Sequence, residues 1–126
     1  MRIYIDSDVL IWHLRGEKKA LTLLQDLCKT DNEIWIGALQ RAEILFFMRK
    51  NEAEATTRLL SRFKTVVIDE ESVDLASALY RQWHPSHGID VNDAFLAATA
   101  MRYGGKIVTL NIKHYPMPDL LVESAW

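Results

Sequence analysis

Four short apolar runs constrain this chain more than any other feature: Arg2-Ile3-Tyr4-Ile5, Ile34-Trp35-Ile36, Val66-Val67-Ile68 and Ile107-Val108-Thr109-Leu110. Each is rich in β-branched and aromatic residues, too short for a helix and bounded by polar residues or glycine, as buried strands are. The stretches between them repeat apolar residues at helical spacing. That spacing predicts helices over Val9–Leu14, over Lys18–Lys29 with Leu21, Leu24 and Cys28 on one stripe, over Ala38–Lys50 and over Glu52–Lys64. Two more are predicted over Ser72–Trp83 and over Val91–Tyr103, the latter ended by Gly104-Gly105. Pro85-Ser86-His87-Gly88 reads as a loop, and Leu120-Leu121-Val122 as a short last strand. Strands that alternate with helices build a parallel sheet with helices on both faces and right-handed crossovers. The fold class is therefore α/β, an α/β/α sandwich, and 126 residues make one domain over 1–126. Such sheets carry their sites at the carboxyl ends of strands, near a switch in strand order.

Three acids stand where carbon is expected. Asp6 closes the first apolar strand, at the end where this architecture places its chemistry; as a lone residue it reads equally well as a helix N-cap. Glu43 shares a predicted helix face with Leu39, Ala42, Phe46 and Phe47, where a carboxylate is costly unless paired or bound to metal. Asp93 shares a face with Ile89, Leu96, Ala97 and Ala100, although Asp90 as N-cap would also favour an acid in that first turn. No local motif joins the three, so only the fold can bring them together. Carboxylates packed together repel unless a cation neutralises them, and oxygen ligands without a cysteine or histidine set favour Mg2+ or Mn2+ over zinc.

Composition narrows the class. A net charge of −2 argues against a protein that coats nucleic acid by bulk electrostatics, and a single cysteine excludes an internal disulfide and suits a reducing, cytoplasmic setting. The apolar start is interrupted by Asp6 and Asp8, so it reads as neither signal peptide nor membrane span.

Four stretches, in order, carry a family resemblance: Ile5-Asp6-Ser7-Asp8-Val9-Leu10-Ile11, Arg41-Ala42-Glu43-Ile44, Asn92 through Ala100, and Ile107-Val108-Thr109-Leu110-Asn111 with His114-Tyr115. Through them the chain resembles PIN-domain proteins, most closely the VapC-type toxin ribonucleases of toxin–antitoxin pairs. The resemblance implies a Mg2+- or Mn2+-dependent RNA endonuclease, a homodimer, and inhibition by a cognate antitoxin. Asp6, Glu43 and Asp93 match the family's principal acids, as catalytic residues and metal ligands, with Glu43 acting directly or through a water. Ser7 matches the small hydroxyl residue that follows the first acid. Asn111 departs from the fourth acid that many relatives carry, so the resemblance supports one metal site more firmly than two. Asp8 stands where asparagine or serine is more usual and reads as a helix cap.

Substrate RNA needs cations. Residues 38–64 hold six basic against three acidic side chains. Arg41, Arg49, Lys50 and Lys113 are the candidates to touch phosphates, against the plainer reading of solvated helix faces. Trp12 and Tyr115 read as packing residues before base-stacking ones, and His84 and His87 as loop residues without a third ligand. Three alternatives remain open at this point, one of them a receiver-type signalling domain with Asp6 and Asp8 as its acidic pair and Asp69 as the phosphorylated residue, for which Lys113 is a poorly placed lysine. The opening Ile5-Asp6-Ser7-Asp8 also suits a haloacid-dehalogenase-type phosphatase with Asp6 as nucleophile and Asp8 as general acid, which leaves Glu43 and Asp93 unexplained. A PIN-like module that binds RNA or a partner without cutting is the third.

Overall fold

A computed structural model describes residues 1–126. Five strands form one wholly parallel sheet: β1 (Arg2–Ile5), β2 (Glu33–Gly37), β3 (Lys64–Val66), β4 (Lys106–Thr109) and β5 (Leu121–Ser124), in the order β3-β2-β1-β4-β5. Six helices connect them: α1 (Ser7–Leu14), α2 (Lys18–Cys28), α3 (Ala38–Phe47), α4 (Ala53–Leu60), α5 (Glu70–His87) and α6 (Val91–Tyr103). The chain builds outward from β1 to β3, then returns to lay β4 on the other side of β1. The order therefore switches between β1 and β4, which fixes where a crevice opens at the strand ends.

The period-two alternation of the central strands sorts their side chains into two cores. Tyr4 and Ile107 face α5 and α6, packed with Leu79, Leu96, Ala97 and Ala100. Ile3, Ile5 and Val108 face the opposite layer with Leu10, Leu24, Ile44 and Leu60. The small residues of α6 let that helix lie close to the sheet; Ala94, Ala97, Ala98 and Ala100 are all buried. By alternation Asp6, the residue after Ile5, falls on the α6 side with Tyr4.

Several boundaries differ from the sequence expectations. β3 is Lys64–Val66 rather than Val66–Ile68, and Val67 is exposed, because the pairing of Gly37 with Val66 ends the ladder there. α3 stops at Phe47 and α4 at Leu60, with a single 3-10 turn at Lys50–Glu52 between them. The expected loop at Pro85–Gly88 is helical as far as His87. Pro85 forfeits only one bond so near the end of α5, and Gly88, at φ 62°, closes it in the left-handed region. His84 and His87 thus lie on the last turn of a helix, where the His84 ring contacts the Ile89 carbonyl.

Between α6 and β4 the backbone passes closely over β1. Gly105 has φ +106°, and a Cβ there would stand 2.3 Å from the Arg2 carbonyl oxygen. Gly105→Ala is expected to destabilise the domain by about 1–3 kcal/mol, from left-handed strain together with that collision. Equilibrium urea unfolding measures it, and an unchanged midpoint would refute it.

Candidate active site

The crevice between β1 and β4 is built by the residues that end the two strands. The Asp6 N–H donates to the Val108 carbonyl at 3.0 Å, so the ladder runs one residue past β1 before α1 begins. There Asp6 is the N-cap of α1: its Oδ1 accepts from the Ser7 N–H at 2.8 Å. The capping interpretation is therefore realised, and it leaves the second carboxylate oxygen to other partners. That oxygen, Oδ2, accepts from the hydroxyls of Thr109 at 2.9 Å and Tyr115 at 2.7 Å.

Asp93 arrives from the other direction. Asp90 caps α6, accepting from the Asp93 N–H at 2.7 Å, while Asp93 Oδ2 accepts from the Asp90 N–H at 3.1 Å. This reciprocal box is the structural alternative that the spacing allowed, and it also aims Asp93 inward. Asp93 Oδ2 lies 2.8 Å from His114 Nδ1, and Oδ1 lies 3.3 Å from the Tyr115 hydroxyl. Two buried carboxylates from distant parts of the chain thus meet on one phenol. A hydroxyl has one proton. It serves Asp6 at the shorter distance, which leaves Asp93 Oδ1 without a donor of its own.

The electrostatics agree. Burial pushes Asp6 upward from the ordinary carboxylate range against the hydrogen bonds of Tyr115 and Thr109. Burial raises Asp93 to about 7, with Asp90 and Asp6 adding repulsion. Asp8 rises to about 6, first by burial and then by Asp6, and burial likewise raises Glu43, with Asp6 and Asp90 repelling it. Tyr115 is pushed well above its usual value, so its hydroxyl stays a donor. Four carboxyl groups that resist ionisation in one crevice form a site that positive charge would stabilise. Their hard oxygen donors, with no thiolate among them, fit a hard divalent cation.

Glu43 requires a correction. Phe46 and Phe47, which were expected to share its buried stripe, are 80% and 82% exposed; the inward face of α3 is Gln40 and Ile44. Helix α3 ends at Phe47 and nothing covers that flank, so the stripe runs along the edge of the layer. Glu43 is half-buried beside it, against the Asn92 and Ser7 side chains, the neighbours of Asp93 and Asp6. It faces the crevice from α3 without joining the Tyr115 contact; as the side chains stand, no three acidic or imidazole groups close around one point.

The remaining candidates are spread around this centre. Asp8 is not the cap of α1, a place Asp6 takes, but lies in its first turn: Oδ1 accepts from the Val9 N–H at 2.7 Å, and Oδ2 accepts from the Leu110 N–H at 3.2 Å, fastening α1 to the end of β4. Asn111 is exposed, its amide 3.0 Å from His114 Nδ1. Arg41 is half-buried and turns toward Thr65 on β3, 3.5 Å away, whereas Arg49, Lys50 and Lys113 are exposed. Arg49 also lines a groove of about 110 Å³ with Glu43, Phe47 and Arg15. Tyr115 is buried, as a packing residue should be, while Trp12 is exposed with the Arg15 guanidinium over its ring. Sequence reasoning missed Thr109, His114 and the polar role of Tyr115. All three lie in the last of the four stretches that carried the resemblance, and that was the available signal.

Comparison with known proteins agrees with this architecture. The PIN domain family model matches residues 3–119. Ribonuclease VapC19 of Mycobacterium tuberculosis is 36% identical over 118 residues, which cover 92% of this chain and 94% of that protein. Ribonuclease VapC10 of the same organism is 36% identical over 120 residues, covering 94% and 90%. Among solved structures, a chain of VapBC2 from Rickettsia felis bound to promoter DNA superposes with a TM-score of 0.78 at 21% identity, over 100% of this chain and 99% of that one. A chain of DNA-bound VapBC from Salmonella typhimurium gives 0.80 at 13% identity, with the same coverage. At these identities the structural likenesses carry the fold.

Proposed function

The chain belongs to the PIN-domain family, and from that premise we propose that it is a divalent-metal-dependent RNA endonuclease, the toxin of a toxin–antitoxin pair. Relatives named as ribonucleases align over nearly the whole chain, and chains of the same fold come from toxin–antitoxin complexes, one of them from Klebsiella pneumoniae. The observation that carries the catalytic reading is the meeting of Asp6 and Asp93 on the Tyr115 hydroxyl at the β1–β4 switch, with Glu43 facing them.

Asp6 and Asp93 are the residues that would hold Mg2+ or Mn2+, with Glu43 contributing directly or through a water. When bound, the ion supplies charge stabilisation to the phosphate being cut and lowers the pKa of water. The chain supplies orientation. Thr109 and Tyr115 fix the rotamer of Asp6; the Asp90 N–H and His114 fix that of Asp93. Ser7 holds Asp6 through its N–H and lies beside Glu43, and Asn111 stands next to His114 at the edge of the site. Arg49, which shares a groove with Glu43, and the exposed Lys50 and Lys113 offer charge for RNA phosphates, whereas Arg41, turned toward Thr65, would have to swing out to do so. A cognate antitoxin, a homodimer and a cytoplasmic setting complete the reading; no helix is long and apolar enough to cross a membrane. The phosphatase alternative is disfavoured because Asp8, its general acid, is committed to the Leu110 N–H.

Incubation of the purified protein with total RNA tests this. Cleavage is expected with Mg2+ or Mn2+ and is expected to vanish in EDTA. Equal cutting in EDTA would refute a metal site.

A further inference from the structure

Gln40 is the one buried polar side chain of α3, at 1% exposure, and its side chain bonds neither to the acids nor to the helix it belongs to. Its Nε2 donates to the main-chain carbonyl of Asn92 at 3.0 Å, bridging from α3 to the first turn of α6. Its Oε1 is buried without a partner. A buried, unpaired carbonyl oxygen keeps its full desolvation cost, so for packing alone an apolar side chain of this length would serve better.

What the bond connects is specific. Glu43 lies one turn beyond Gln40 on the same helix, and Asn92 immediately precedes Asp93. Asn92 is held to α3 through its carbonyl by Gln40, with Glu43 beside its side chain. Room for the amide comes from Gly37: a Cβ there would stand 2.1 Å from Gln40 Oε1, although the Gly37 backbone, at φ −71° and ψ 152°, suits any residue.

Resting on the functional reading above, we propose that Gln40 is a positioning residue that sets the spacing between Glu43 and Asp93, and that Gly37 is small in order to admit it. The bond pins the crossing of α3 on α6 at the point where both acids leave their helices. Two substitutions break it independently. Gln40→Met keeps length and volume but removes the donor; Gly37→Ala leaves the donor and expels the amide.

The test uses the full chain, with three readouts on each variant: Mn2+ affinity by calorimetric titration, RNA cleavage with kcat and KM separated, and melting temperature in EDTA. Both variants are expected to bind Mn2+ about tenfold more weakly, as partners that orient metal ligands do when lost. In both, kcat should fall with KM for RNA little changed, and Gln40→Met should melt no lower than wild type. Wild-type Mn2+ affinity and kcat in both variants would overturn the inference alone. Weakening that merely tracks a lowered melting temperature would also overturn it, leaving Gln40 as a core residue. A wild-type protein that neither binds Mn2+ nor cuts RNA would overturn the functional reading and this inference with it.

Discussion

Asp93→Asn is expected to slow RNA cleavage by about a thousandfold, equivalent to about 4 kcal/mol of barrier, while the metal-free protein melts at the same temperature or higher. The two halves of this expectation have one cause. Asparagine keeps an oxygen that can accept from the Asp90 N–H, so the box at the start of α6 survives. It removes the charge that burial, Asp90 and Asp6 oppose, the opposition that raises Asp93 to about 7. A side chain kept for packing would show the reverse, little loss of cleavage and a loss of stability. Steady-state cleavage of a labelled RNA, with thermal unfolding in EDTA, measures both. Cleavage within about tenfold of wild type would remove Asp93 from the site.

Stability of the metal-free protein is expected to fall as pH rises. The folded chain holds protons on Asp93 up to about 7 and on Asp8 up to about 6, whereas the unfolded chain releases both near 3.8. A carboxyl group raised on folding contributes most below its unfolded value. That contribution is lost as pH climbs through the folded value. Asp6 and Glu43, also raised, act in the same sense. Asp69, held low by the Ser72 N–H and Arg102, acts in the opposite sense but is exposed and strongly screened, and His13, lowered by burial and Arg62, opposes as one group against the four carboxyls. The groups facing Asp93 are Asp90, Asp6, His114 and Tyr115. The net expectation is a melting temperature in EDTA lower at pH 8 than at pH 5 by about 5 °C or more, the scale of about 1 kcal/mol in a domain of this size. Mn2+ binds the ionised carboxylates, so it should stabilise far more at pH 8 than at pH 5. A melting temperature that rises with pH in EDTA, or an equal Mn2+ effect at both values, would contradict the crowding of carboxylates described here.

Much of this was legible in the residues because the signals were local. The bounds of α6 follow from Asp90 at one end and Gly104 at the other, and the sequence expectation of Val91–Tyr103 agrees with the structure. The strands at the centre of the sheet, buried on both faces, carry apolar runs that nothing else explains. Asp6 and Asp93 were visible for the same reason: each interrupts a surface that the core needs. Glu43 was found by an argument whose premise fails, since the phenylalanines of its stripe lie in solvent. Its matching stretch Arg41-Ala42-Glu43-Ile44 carried the inference instead. β3 was misplaced because Val66-Val67-Ile68 has strand propensity throughout, while its end is set by register against Gly37, a non-local fact. Tyr115 reads as packing in the sequence because an aromatic residue there offers no sign of where its hydroxyl points. Only the return of the chain after β4 places that hydroxyl between Asp6 and Asp93. Gln40 carries no signal in the sequence, since a glutamine in a helix reads as solvent-facing.

Manganese scatters anomalously, so crystals soaked in Mn2+ report where the ion sits without reference to activity. The expected map holds one strong peak per chain between the Asp6 and Asp93 carboxylates, about 2.0–2.3 Å from an oxygen of each, with Glu43 in reach directly or through a water. A peak elsewhere on the chain, or none beside these two carboxylates at saturating Mn2+, would contradict a metal centre at the β1–β4 switch.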